Sequence, residues 1–131
     1  MNVDELTSIP VSETYQKALD LFKDRSRWAQ EYYQYDKDGA KCNWRDGYSF
    51  CAMGALCFFT DGFNTKALCC LQRVSVHLFG DSIQHVNDGH YGYEKVMQAL
   101  EFARDLWKDH EPTKEDLDKS VDKVLEGRLN G

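Results

Sequence analysis

Proline is nearly absent: Pro10 and Pro112 are the only two in the chain. Each stands just before a helical pattern, so about a hundred residues between them are free of the strongest helix breaker. No stretch alternates with period two for long enough to demand a sheet. No apolar run reaches the roughly 20 residues of a membrane span, and Phe50 to Phe59 is only half of one. The amino terminus, Met1-Asn-Val-Asp-Glu5, lacks the basic segment and apolar run that a secretory signal needs. Basic residues are outnumbered: 16 Lys and Arg against 22 Asp and Glu give a formal charge of −6. That balance argues against nucleic-acid binding, whose affinity comes from neutralising phosphates, and it is compatible with a basic protein partner or with nothing more than solubility. The five cysteines include no Cys-x-x-Cys pair, and no His-Glu-x-x-His motif occurs. No metal and no cofactor is therefore expected. An odd number of cysteines, four of them inside apolar helical stretches, points to reduced thiols in a cytosolic protein.

What is present is helical periodicity. The expected fold is all-α: a compact single-domain bundle of five to six helices over residues 1–131, packed around a central apolar helix at about 47–60, with a flexible stretch at 1–9. Val11, Tyr15, Ala18, Leu19 and Phe22 form a core-facing stripe, with Ser8 or Ser12 available as N-cap. Trp28, Tyr32 and Tyr35 repeat the spacing, which predicts a second short helix ended at Gly39 by a left-handed cap. In the central helix, capped by Asp46 and closed by Asp61-Gly62 with Asn64, the small residues Ser49, Ala52, Gly54 and Ala55 invite close approach of a neighbour. A mid-helix Gly54 costs roughly 1 kcal/mol relative to Ala, and backbone packing against it is the usual compensation. A helix over 66–79 stops at Gly80, and Asp81 to His90 reads as a loop. Tyr93 to Asp109 is the strongest amphipathic helix. Thr113-Lys-Glu-Asp116 opens a charged C-terminal helix at 110–131 that lays one apolar stripe on the body.

Three constellations carry candidate chemistry. Cys51 with His85 or His90 and Asn87 or Asp88 has the order of a thiol hydrolase, in which an imidazole activates the thiol and an amide or carboxylate orients the base. Burial of Cys51 in an apolar helix weighs against it, because burial raises a thiol pKa. Asn87-Asp88-Gly89-His90-Tyr91-Gly92 reads first as a cap and turn for the following helix, and second as a ligand-facing loop presenting Asn87, Asp88 and His90 beside Tyr91. Six rings between Trp28 and Tyr48 exceed what a small core hides. Tyr33 and Trp44 are the expected members of an exposed aromatic patch of the kind protein-binding sites use.

Trp28, Asp38-Gly39, Cys51 with Gly54-Ala55-Leu56, Ile83 with Asn87-Asp88, and Glu94 with Val96 appear in an order that resembles a family of small uncharacterised proteins of bacteria and their phages. The resemblance covers about residues 26–106. It departs at Val86, where the pattern has Trp, and in the inserted-looking stretch Asp36 to Asp46. It implies the fold and brings no activity with it. A phage or bacterial accessory protein of this kind would bind and modulate a host component. The reading is thus a small cytosolic binding or modulatory protein with a protein partner, no nucleic acid and no membrane, whose binding residues are Asn87, Asp88, His90, Tyr91, Trp28, Tyr33 and Trp44. The alternative is a thiol-dependent hydrolase or transferase using Cys51.

Overall fold

The computed structural model describes residues 9–43, 46–60 and 65–130. The architecture is an all-α bundle, with seven α-helices and one two-stranded ribbon among the described residues. Helix α1 is Val11–Phe22, the ribbon is β1 Gln34–Tyr35 and β2 Ser49–Phe50, and α2 is Ala52–Phe59. Then come α3 Thr65–Phe79, α4 Ile83–Asp88, α5 Gly92–Leu106, α6 Lys114–Leu117 and α7 Val121–Asn130. Among the described residues, no helix is long and apolar enough to cross a membrane.

The stripe of α1 buries Val11, Tyr15, Ala18, Leu19 and Phe22. It lies along α5, whose Val96, Ala99, Leu100, Ala103 and Leu106 face inward. Helix α3 contributes Ala67, Cys70, Leu71 and Val74 to the same core. Pro10 occupies the cap position of α1 without a side-chain bond, and Ser12 lies inside the helix. The free Val11 N–H instead meets the Glu111 carboxylate at 3.2 and 3.3 Å, 100 positions away. Glu111 also pairs with Lys66 Nζ at 2.8 Å, so one carboxylate ties three segments. Ser8 lies outside the described residues, as do Asp61, Gly62 and Asn64.

Four expectations are corrected. The Trp28 to Tyr35 segment is not a helix. After a 3-10 turn at Arg25–Arg27, capped by the Asp24 side chain on Ser26 N–H, the chain bends through residues 30–33, with Glu31 at φ 74°, and only Gln34–Tyr35 is strand. It pairs with residues 48–51 through Ala29 N–H to Phe50 C=O, Cys51 N–H to Tyr33 C=O and Tyr48 N–H to Tyr35 C=O. Large aromatics suit a pleated, half-buried surface, and here that preference outweighs an accidental helical spacing. The central helix accordingly starts at Ala52, since Ser49–Phe50 is strand, and Cys51 rather than Asp46 caps it. Its apolar character does not mean burial on every face, because Phe58 is exposed. Ile83–Asp88 is a helix, capped by Ser82 on His85 N–H, not a loop. The C-terminal helix is two helices. Thr113 and Asp116 form the expected capping box, but α6 ends at Leu117 and α7 restarts at Val121. Arg73 Nη1 takes the Lys119 carbonyl at 2.7 Å, drawing it out of any helical ladder.

The close approach expected at Gly54 is present. A Cβ there would lie 2.0 Å from the Tyr33 carbonyl oxygen, so α2 presses directly on the chain at Tyr33. Gly39 adopts the left-handed conformation expected of it, φ +84°, though in a turn rather than at a helix end, and Gly80, where α3 stops, is left-handed too, at +70°.

Candidate functional site

The Asn87 side chain is the hub where three segments meet: residues 28–29, the start of α2 and α4. It is buried, and each end of its amide makes two hydrogen bonds. Its Oδ1 accepts Trp28 Nε1–H at 2.9 Å and Ala52 N–H at 3.0 Å. Its Nδ2 donates to Ala29 C=O at 2.9 Å and to Asp88 Oδ1 at 3.1 Å. The Asn87-Asp88 pair therefore does not cap the helix that follows it. Asn87, in the last turn of α4, satisfies a free N–H in the first turn of α2, while the cap residue before α5 is Tyr91, left-handed and with no side-chain cap bond. Asp88 Oδ1 also accepts Glu31 N–H at 2.8 Å, and Gln30 Nε2 donates to Asn87 C=O at 3.1 Å. Trp28 is fixed on its other side by an edge contact with Tyr93, 5.7 Å between centroids. Tyr93 in turn donates its hydroxyl to Phe22 C=O.

Two non-glycine residues with positive φ flank this hub: Glu31 at 74° and Tyr91 at 57°. Such strain persists only where surrounding bonds over-determine it, and it clusters at functional surfaces. Asp88 supplies the over-determining bond for Glu31. Beside the hub lies a cavity of about 240 Å³ lined by Glu31, Tyr33, Cys51, Met53, Gln84 and Asp88, among others. A second cavity, of about 210 Å³, is reached by Gln34, Cys42 and Cys57. Tyr32 and Tyr33 line both, the Tyr33 backbone pinned against Gly54 and its side chain 48 % exposed.

The Cys51 thiol accepts Gly54 N–H at 3.4 Å as the N-cap of α2. Burial pushes its pKa up, and the backbone donors of the helix start only partly offset that. Cys51, Asn87 and Asp88 share one cavity, whereas neither His85 nor His90 lines it. His85 is exposed and pairs with Asp81 Oδ1 at 3.0 Å. His90 packs its ring on Tyr91, 4.3 Å between centroids, and both are exposed. Trp44 lies outside the described residues. All five cysteines are free thiols, and among the described residues no three His, Cys, Asp or Glu side chains gather as metal ligands would.

Sequence reasoning missed Glu31, Gln30 and Gln34. Their signal was confined to tertiary placement, since an exposed Glu in a supposed helix has nothing to mark it. No curated protein and no solved structure matches the chain. A family model matches residues 6–116, nearly the whole described body including Trp28, the Cys51 to Leu56 run and Asn87-Asp88, and by it the chain belongs to the family of unknown function DUF6197.

Proposed function

We propose that the protein is a small non-catalytic binding protein, which takes a cationic segment of a protein partner at the groove around Tyr33. The observation that carries this reading is a pair of carboxylates beside a preformed cavity. Glu31 and Asp88 both line the 240 Å³ cavity, and neither forms an ion pair among the described residues. By contrast, Arg25, Arg27 and Lys41 are each held over an aromatic ring. Those three cations are thus engaged, while the two carboxylates at the cavity have no cationic partner among the described residues, which favours a partner bringing positive charge. Tyr33 adds an aromatic anchor whose backbone is already rigid, so little ordering accompanies binding.

Affinity capture from a cell lysate with wild type, Glu31→Gln and Tyr33→Ala tests this. The expected result is a basic protein retained by wild type, released by salt, and lost by both variants while their melting temperatures stay unchanged. Capture of the same proteins by all three forms would contradict it. The thiol-hydrolase reading has no supporting observation of comparable weight, because neither His85 nor His90, the bases it calls for, lines the Cys51 cavity.

A further inference from the structure

The largest cavity among those described, about 540 Å³, lies between α3 and the first turn of α7, on the opposite side of α3's sequence stripe from the core. Its α3 wall consists of Cys69, Gln72, Arg73, Val76 and His77, which are the i, i+3, i+4, i+7 and i+8 positions of one helical face. Ser120, Val121 and Asp122 close the other side. The volume is within the roughly 300–1,000 Å³ of small-molecule sites, unlike the two cavities beside Tyr33.

Arg73 is the unusual member. In a chain of net charge −6 it faces no carboxylate within ion-pair distance among the described residues. Its Nη1 is tethered to Lys119 C=O at 2.7 Å, and its Nε is buried with no acceptor. A guanidinium part-removed from water without an anion is costly, and the cost falls when an anion comes close. The neighbouring carboxylate, Asp122, is already engaged with His77 Nδ1 at 3.1 Å. The walls around the charge are mixed: Val76, which is 57 % exposed, Cys69 and the edge of the buried Val121 are apolar or soft, while Gln72, His77, Ser120 and Asp122 are polar.

We infer that this cavity binds a small amphiphilic carboxylate, its head group beside the Arg73 guanidinium and its apolar tail against Val76 and Val121. The site is separate from the groove around Tyr33. It also depends on α7, which lies beyond the segment 6–116 that the family model matches.

The test is titration of the full chain with octanoate, and separately with octan-1-ol, followed by amide chemical shifts. Octanoate is expected to move signals of residues 69–77 and 120–122. Octan-1-ol, which keeps the tail and lacks the charge, is expected to bind about tenfold more weakly. Arg73→Gln should erase the difference between the two probes. Because that variant also loosens the Lys119 tether, the wild-type comparison stands by itself if the variant misfolds. Glu31→Gln, which alters only the other site, should leave octanoate binding unchanged. Equal affinity for octanoate and octan-1-ol in wild type, shifts centred away from α3 and α7, or no shifts at millimolar octanoate would each overturn the inference.

Discussion

Trp28 donates its indole N–H to the side-chain oxygen of Asn87 at 2.9 Å, across 59 positions of chain. The same oxygen receives the Ala52 N–H at the start of α2, so one amide joins the aromatic segment, α2 and α4. The polar residues that look most like a site are in this way the joints that hold a site's walls.

Replacing Asn87 with Ala strands the buried Ala52 N–H and the half-buried Trp28 indole N–H and Ala29 carbonyl. The expected loss is about 3 kcal/mol, read as a lower urea midpoint with little change in slope. Asp88→Asn keeps an oxygen for the Glu31 N–H and should cost less than about 1 kcal/mol. Equal losses for the two variants would remove the distinction between hub and neighbour.

Gly54→Ala places a methyl group 2.0 Å from the Tyr33 carbonyl oxygen. Backbone stands on both sides of that contact, so no rotamer change relieves it. A loss of about 3 kcal/mol or more, or outright failure to fold, is expected in thermal melts. A melting temperature equal to wild type would show that α2 and the Tyr33 segment are not in contact.

The all-α class, the α1, α3 and α5 stripes, the Thr113 capping box and the Gly54 contact were all legible, because each rests on local periodicity or on one residue's size. The aromatic segment was not. Trp28, Tyr32 and Tyr35 satisfy a helical spacing, and the partners that hold the segment out of a helix lie at residues 48–51. The same limit hid the hub. An Asn-Asp pair before a Gly-rich turn reads as a local cap, and nothing nearby in sequence announces that its receivers are Ala52 and Glu31. The apolar setting of Cys51 was legible, and burial there pushes its thiol pKa up, while the separation of His85 and His90 from it needed the helical form of residues 83–88.

Thiol reactivity follows from burial. Burial pushes the Cys51 thiol up, takes Cys57 to about 11 and takes Cys70 to about 12. At neutral pH these three should alkylate with iodoacetamide more slowly than free cysteine, and denaturant should abolish the difference. Mass spectrometry of labelled peptides reads each site. Faster labelling of Cys51 than of free cysteine would restore the catalytic-thiol reading.

The same shifts set a direction for alkaline stability. Cys57 and Cys70 hold their protons in the fold at pH values where the unfolded chain, with thiols near 9.0, has lost them. Tyr15, raised well above 10.0 mainly by burial, behaves alike while donating its hydroxyl to Ala67 C=O at 2.6 Å. Their contribution is complete below pH 9 and declines as pH rises toward 11 and 12. The melting temperature should therefore fall across that window, and a Cys57→Ala, Cys70→Ala double variant should fall less steeply. An identical slope in the variant would assign the effect elsewhere.

The most direct measurement of the central claim, that Trp28 and Asn87 form one structural joint, is a double-mutant cycle by chemical denaturation using Trp28→Phe, Asn87→Ala and the pair. The joint predicts that the double variant loses less than the two single losses added, by about 1 kcal/mol or more. Strict additivity of the two losses would contradict it.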